Sequence, residues 1–290
     1  MKLYRYISFE DFTRIVTLNK DRAARPVIWK DSYEGYLFKY MDNENLKRKL
    51  VSSIYWYVCP RNYRKTIENY FKLWHSRWWT YAQCWTKQEE SELMWRANSY
   101  GNHAIKIESE VEDIKEIMEM SFDKNYFGLM DKEVKYDLKS ASDETLRQQI
   151  DELHISLAVN EPYFHKAECY SSEYEYRFTI QDNRLFQIEE LACSGALYKI
   201  NEKINNLNTH DEKIEEVLGR ISKFECQWRE ESIDNNLFFD IEKDELSKYI
   251  HSVVVHPDAE DWYVELVKEM CNSTKINFEK KSNLYDKLEI

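Results

Sequence analysis

Glycine is scarce in this chain of 290 residues. Average usage of about 7% would give about twenty glycines, yet the sequence has five: Gly35, Gly101, Gly128, Gly195 and Gly219. No two of them have the spacing of G-x-G-x-x-G or G-x-x-x-x-G-K-[ST], motifs whose glycines let the backbone approach a phosphate closely. The sequence therefore excludes a Rossmann fingerprint and a P-loop, and a bound nucleotide would have to be held by side chains or by another arrangement of the backbone.

The composition is that of a folded chain with an acidic surface. Hydrophobic residues make up 43%, and 53 acidic residues against 41 basic ones give a net charge of −12. Such a surface repels bulk nucleic acid and anionic membranes. The six cysteines form no C-x-x-C pair, the N-terminus does not resemble a signal peptide, and no apolar run approaches about 18 residues. These features predict a cytoplasmic protein with reduced thiols and no membrane partner.

Short predicted strands are separated by helices without a regular βαβ repeat. The strands are predicted at 3–7, 82–86, 103–108, 173–180, 252–256 and 276–278. The helices are predicted at 8–19, 43–58, 61–79, 90–97, 111–120, 141–158 and 198–230, and a last helix is predicted from Asp258 or Asp261 to about Cys271. This order predicts an α+β fold with a mixed, mostly antiparallel central sheet flanked by helices. We expect a single domain over 1–290, with helical insertions at about 43–79 and 198–230.

The first candidate site is the run from Glu173 to Arg177. On a strand, alternation places Glu173, Glu175 and Arg177 on one face. Two carboxylates about 7 Å apart beside a cation suit acid–base chemistry or ribose binding. The alternative is the solvated outer face of an antiparallel strand.

Three further short motifs contain candidate binding residues. Arg5, flanked by two tyrosines on the first strand, suits a phosphate or carboxylate, although an ordinary surface arginine is the alternative. Thr86 ends a strand and suits a role in orienting a ligand, whereas Cys84 alone is typical of a buried small side chain. In an early loop, Asp31 is typical of an Asx turn, which leaves Glu34 without a structural role.

The segment 60–79 is rich in basic and aromatic residues, a combination that suits single-stranded nucleic acid. Six of its apolar residues nevertheless share one helical face, which favours packing in a core. These residues are Tyr63, Ile67, Tyr70, Phe71, Trp74 and Trp78. The chain has no four-ligand Cys/His set and no H-E-x-x-H motif, so no metal site is predicted.

Taken in order, several short motifs resemble a bacterial family known as domain of unknown function 2971. The resemblance spans nearly the whole chain and implies a fold neighbourhood without an assigned activity. Asp31, Glu34 and Trp95 lie in the matching motifs, and we propose them as supporting site residues. The matching motifs are Leu3–Tyr6, Trp29–Glu34, Cys84–Thr86, Leu93–Trp95, Phe164–Lys166, Glu173–Arg177 and Ile250–Pro257.

A weaker resemblance is to the ADP-ribosyltransferases of the arginine–serine–glutamate class. The order Arg5, Thr86, Glu175 is similar to that family's strand arginine, hydroxyl residue and last glutamate of Glu-x-Glu. The resemblance implies that Arg5 binds the diphosphate of NAD, that Thr86 supports the site, and that Glu175 is catalytic. From the strand pattern we add Arg177 as a further NAD-binding residue and Glu173 as a second catalytic residue. It implies a split, mixed sheet without a glycine-rich loop.

Three functional hypotheses follow. The first is an ADP-ribosyltransferase-like enzyme that uses NAD and acts as a bacterial toxin or antiphage effector on a protein or nucleic-acid acceptor. The second is a metal-dependent nuclease, in which carboxylates and a lysine bind Mg²⁺ and position water. Its residues would be Asp31, Glu34, Glu173 and Glu175 with Lys106 or Lys166. The third is a non-catalytic sensor, favoured by the abundant tyrosine and tryptophan, with a protein partner on the helical insertions.

Overall fold

A computed structural model describes residues 1–29, 35–58, 63–98, 101–138, 160–184, 207, 209–225, 234–282 and 284. The predicted helix at 141–158 and the loop residues Asp31 and Glu34 lie outside these described residues. So does the part of the predicted insertion 198–230 that falls outside 207 and 209–225.

Eleven strands run through the described residues. They are β1 Lys2–Ile7, β2 Lys20–Ala24, β3 Thr80–Thr86, β4 Ile105–Glu110, β5 Phe127–Glu133, β6 Lys135–Leu138, β7 His165–Ala167, β8 Glu175–Asp182, β9 Asn236–Asp240, β10 Ser252–Val255 and β11 Asn277–Lys281. Nine of them form one sheet, and β6 and β7 form a small parallel pair. In the large sheet only the β10–β11 pairing is parallel. The predicted α+β fold with a mixed, mostly antiparallel sheet is confirmed.

The α-helices of the described residues connect these strands. They are α1 Phe9–Leu18, α2 Glu44–Ser53, α3 Tyr63–Trp79, α4 Glu92–Asn98, α5 Val111–Ser121, α6 His210–Glu225, α7 Leu246–Tyr249 and α8 Asp261–Thr274. Short 3₁₀ helices occupy Pro26–Ile28, Tyr36–Met41, Glu161–Phe164, Glu168–Glu173 and Lys243–Glu245, and a π-helical turn occupies Ile54–Val58. Within the described part of the chain, no helix combines the length and apolar character needed to cross a membrane.

Helix α1 shows how local chemistry sets an element boundary. Ser8 precedes the helix in an extended conformation, and its hydroxyl accepts the backbone N–H of Asp11 at 3.1 Å. This bond satisfies one of the unpaired donors of the first turn. Asn19 ends the helix in the left-handed region at φ 52°, which asparagine tolerates better than most non-glycine residues. The predicted helix at 8–19 is confirmed.

The strand predicted at 173–180 is displaced by two residues. Glu173 closes the 3₁₀ helix Glu168–Glu173, and Tyr174 lies in the left-handed region at φ 46°. The strand therefore begins at Glu175 and continues to Asp182. The prediction that Glu173 lies on this strand is wrong, because a left-handed residue interrupts the extended backbone.

The sheet forks along one edge of β3. On its other edge, β3 pairs with β8 from Thr80 to Thr86, and β8 in turn pairs with β5. On the forked edge, β3 pairs with β1 at Thr86 and with β2 at Ala82. Residues 83–85 take part in neither of these two pairings. The strand order is therefore β11-β10-β4-β1-β3-β2-β9, with β1 and β2 diverging from a shared neighbour.

Separate groups of apolar side chains pack around the sheet and among the helices. One face carries the large core, which α1, α5, α7 and α8 cover with residues such as Phe12, Ile114 and Tyr263. A second apolar group, the helical cluster, joins the segment 37–41 to α2, α3 and α6 and includes Tyr163. The described parts of the two predicted helical insertions thus pack together. The interpretation of the apolar face of 63–78 as core is confirmed for the buried residues Ile67, Tyr70 and Phe71.

A buried polar network spans the gap between β1 and β2. Asp21, on β2, is fully buried, and its Oδ2 accepts hydrogen bonds from Arg5, Gln83 and Tyr249 at 2.6, 3.1 and 2.7 Å. Its Oδ1 accepts the N–H of Arg22 at 2.7 Å. One carboxylate therefore ties together β1, β2, β3 and α7 at the fork.

We expect Asp21→Asn to destabilise the fold by about 3–5 kcal/mol, because the Arg5 guanidinium then remains buried without its counter-charge. Urea unfolding at neutral pH would measure the loss. Asp240→Asn is the matched control, since Asp240 has a 77% exposed side chain 3.4 Å from Lys20, and its effect should stay within about 0.5 kcal/mol. Equal unfolding midpoints for the two variants would contradict this role of Asp21.

Candidate functional site

A cavity of about 790 Å³ opens where β1 and β2 diverge from β3. Five residues proposed from the sequence line it: Arg5, Thr86, Glu173, Glu175 and Arg177. Its volume is within the range of sites for small molecules and cofactors. The cavity therefore brings together residues that are up to 172 positions apart in the chain.

Lys166 joins the two candidate carboxylates at one end of the cavity. It extends from β7, and its Nζ donates to Glu173 Oε2 at 2.7 Å and to Glu175 Oε2 at 3.2 Å. Although the predicted strand is interrupted between them, the two glutamates do share a site. The alternative of a solvated strand face is wrong for Glu175, which is 5% exposed.

Arg177 supports Glu175 from below the cavity surface. Its Nε donates to Glu175 Oε1 at 2.7 Å, and its Nη2 lies 2.6 Å from the same oxygen. Its Nη1 donates to the carbonyl of Tyr163, and the guanidinium carbon lies 4.8 Å from the centre of the Trp29 ring. With no exposed side-chain surface, Arg177 holds Glu175 in place and is not available as a direct ligand contact.

The environment changes the pKa values of the two glutamates in opposite directions. Burial would raise the pKa of Glu175, but Arg177, Lys166 and a hydrogen bond from Cys84 together hold it below its ordinary value. For Glu173, burial raises the pKa above its ordinary value. Lys166 lowers this pKa in part, and the negative charge of Glu175 raises it further. Paired acids with divergent pKa values are a common arrangement for acid–base catalysis. Glu175 therefore stays ionised to lower pH than Glu173, and Glu173 is the group better suited to exchange a proton.

The residues of β3 connect the carboxylates to the sheet. The Thr86 hydroxyl donates to the carbonyl of Glu173 at 2.6 Å and accepts the N–H of Gln88 at 3.1 Å. Thr86 therefore fixes the turn that carries Glu173. Cys84 is half-buried and lines the cavity, so the interpretation of this residue as a buried small side chain is wrong.

The opposite end of the cavity is lined by basic and acidic residues from β1, β2 and α1. Arg5 lies on the face of the large core, since its register partner is Ile107, and its guanidinium is bound to Asp21. It still lines the cavity, with a side chain that is 12% exposed. Arg22 lines the same end and donates to Asp11 at 3.2 Å.

The supporting residues proposed from the sequence have different outcomes. Trp95 is fully buried and does not line the cavity; its ring packs edge-on against Tyr6, at 4.8 Å between ring centres, and Tyr6 does line it. Asp31 and Glu34 lie outside the described residues.

The sequence alone does not indicate Arg22, Asp11 or the buried Asp21 as site residues, and it indicates Lys166 only for a nuclease. Arg22 and Asp21 lie in the polar segment Lys20–Ala24, which has no apolar alternation to indicate a strand. The pairing of Lys166 with Glu173 had one usable signal, the adjacent positions of their motifs in the chain.

Among the described residues, no group of three or more His, Cys, Asp and Glu side chains is arranged to hold a metal ion. Comparison with protein-family models, curated proteins and solved structures finds no match for the chain. The properties of the site therefore rest on its own geometry.

The pKa shifts predict how stability depends on pH. Since the pKa of Glu175 is lower in the folded chain, its ionised form adds stability that is present above its ordinary pKa, near 4.5, and is lost as the pH falls. Glu175→Gln should therefore lower stability at neutral pH by about 3 kcal/mol and weaken the acid dependence below about pH 5. Chemical unfolding from neutral to acidic pH would measure both effects.

Glu173→Gln is the comparison of opposite sign. The raised pKa of Glu173 means that its ionised form is disfavoured in the folded chain, so removing the charge should not reproduce the loss seen with Glu175→Gln. Glu265→Gln, at a 65% exposed side chain, controls for the substitution itself. The interpretation fails if all three variants have the same acid dependence.

Proposed function

We propose that the protein is an ADP-ribosyltransferase-like enzyme that cleaves the bond between nicotinamide and ribose in NAD. The observation that carries the proposal is the pair Glu173 and Glu175, which Lys166 joins at one end of the cavity. The other end is lined by Arg5 and Arg22. The cavity suits a ligand with phosphates at one end and a reacting sugar at the other. It also agrees with the shortage of glycine, because its polar contacts come from side chains.

The charges of the cavity support an anionic ligand. Four cations line it, namely Arg5, Arg22, Lys166 and Arg177, against the three acids Asp11, Glu173 and Glu175. The lining is therefore slightly positive in a chain whose net charge is −12. In a concave, partly dehydrated site such an excess attracts anions. Arg5 and Arg22 would contact the diphosphate of NAD, and the fork in the sheet would place it between β1 and β2.

The two glutamates suit the two halves of the reaction. When the glycosidic bond breaks, its electron pair leaves with nicotinamide and positive charge develops on the ribose ring. The ionised Glu175 would stabilise that charge. The nucleophile, a side chain or base of an acceptor or water, would then bond to the sugar carbon and lose a proton to Glu173. The products are nicotinamide and an ADP-ribosylated acceptor or ADP-ribose.

The decisive experiment is incubation of the full chain with NAD labelled in the adenosine part, with and without bacterial cell extract. Release of nicotinamide measures cleavage, and label on protein or nucleic acid measures transfer. Glu175→Gln should reduce the rate by about a hundredfold or more, because it removes the charge that stabilises the transition state. Glu265→Gln should leave the rate unchanged. A wild-type protein that releases no nicotinamide and labels no acceptor would refute the proposal.

Arg22→Gln should act mainly on binding. The proposed phosphate contact is remote from the reacting bond, so its loss should raise KM by about tenfold with little change in kcat. Asp11 would still have Arg14 as its partner in this variant. Steady-state kinetics over a range of NAD concentrations would measure the change. Arg64→Gln, at a 60% exposed arginine paired with Glu68, is the control, and an equal KM for both variants would argue against a phosphate contact.

A further inference from the structure

Lys166 has no role in the resemblance to ADP-ribosyltransferases, yet its position in the cavity is unusually constrained. The side chain is 11% exposed, and its Nζ lies 4.9 Å from the centre of the Tyr170 ring. Burying the charged end of a lysine is unfavourable unless it is paired. Lys166 is paired with both Glu173 and Glu175, so that one ammonium group is the counter-ion of two carboxylates.

The path of the chain explains how this pairing forms. Lys166 lies on β7, and the following 3₁₀ helix Glu168–Glu173 ends where the Glu173 carboxylate meets the ammonium group of Lys166. Tyr174 then turns the backbone through the left-handed region into β8. Thr86 anchors the turn through the carbonyl of Glu173. The eight residues from Lys166 to Glu173 therefore form a closed connection with the Lys166–Glu173 ion pair at its ends.

The two carboxylates depend on Lys166 to different degrees. Glu175 also has Arg177 as a partner and faces the Cys84 thiol, and its backbone N–H donates to the Tyr136 hydroxyl at 2.8 Å. For Glu173, Lys166 is the one cation within ion-pair distance among the described residues. Removing the lysine would leave Glu175 paired and Glu173 facing a like charge.

We infer that Lys166 is a positioning residue that holds Glu173 beside Glu175 in its ionised form, ready to accept the proton of the attacking nucleophile. The proton transfer in this inference rests on the proposed function. The pairing of Lys166 with the two carboxylates is independent of that function. In the reaction, the proton moves to the Glu173 carboxylate, and Lys166 then remains paired with Glu175. The lysine thus has a partner before and after the transfer.

The test compares Lys166→Met, which removes the charge, with Lys166→Arg, which keeps it and can reach both carboxylates. Lys166→Gln is the second uncharged variant, to be used if the methionine variant does not fold by circular dichroism. Lys124→Met is the matched control, because Lys124 is paired with Glu119 at 2.8 Å but has a 74% exposed side chain away from the cavity.

The first measurement is the pH profile of nicotinamide release by the full chain. Without Lys166, Glu173 should take up a proton at higher pH. The acid limb of the profile should therefore move to higher pH in Lys166→Met, with a loss of about tenfold or more in kcat at neutral pH. Lys166→Arg should restore the wild-type limb. A role in stability alone would lower the amount of active protein without moving the limb.

The second measurement needs no NAD. Iodoacetamide alkylation of Cys84, followed as a function of pH by peptide mass spectrometry, reports the charge around Glu175. Loss of the nearby positive charge disfavours the thiolate, so the midpoint of alkylation should move to higher pH in Lys166→Met. Lys166→Arg and Lys124→Met should retain the wild-type midpoint.

The two measurements separate the possible failures. A shifted Cys84 midpoint with no NAD cleavage by the wild type would support the pairing by Lys166 and refute the proposed function. NAD cleavage with the same acid limb in wild type and folded Lys166→Met would overturn the positioning role. So would a folded Lys166→Met or Lys166→Gln variant in which the Cys84 midpoint does not move.

Discussion

The buried ion pair between Arg5 and Asp21 connects two strands that do not pair with each other. A sheet that forks loses backbone hydrogen bonds along the fork, and those groups need other partners. Asp21 supplies the connection through side chains, since it accepts bonds from β1, β3 and α7 and from its own strand. The fork can therefore stay open, and the cavity occupies the space that continuous strand pairing would fill.

The cavity depends on a balance of charges more than on any single group. All four of its cations already have acidic partners within 3.2 Å. Such pairs hold side chains in fixed orientations before a ligand arrives, which lowers the reorganisation that binding requires. The opposite shifts in the pKa values of Glu173 and Glu175 come from the same arrangement, because one carboxylate has two cationic neighbours and the other shares one of them.

The sequence predicts the elements whose signals are local. Ser8 and the apolar spacing after it predict α1, and the run of buried residues at 252–255 predicts β10. The sequence does not indicate strand β2, because its segment is polar and the partners that bury Asp21 lie far away in the chain. Likewise, the pattern Glu173 to Arg177 indicates carboxylates near a cation, but not the turn at Tyr174 that ends the alternation. The resemblances to known families remain predictions.

Tyr174 separates the two glutamates in a conformation that non-glycine residues adopt at a cost of about 1–2 kcal/mol. Two backbone hydrogen bonds hold it there, from its own N–H to Ser171 at 3.3 Å and from the Lys87 N–H to its carbonyl at 3.0 Å. These bonds, with the Thr86 bond to the carbonyl of Glu173, offset the strain of this conformation. The separation of the two carboxylates is therefore set by the backbone conformation of a single residue, so that a residue outside the catalytic pair determines the spacing of the pair.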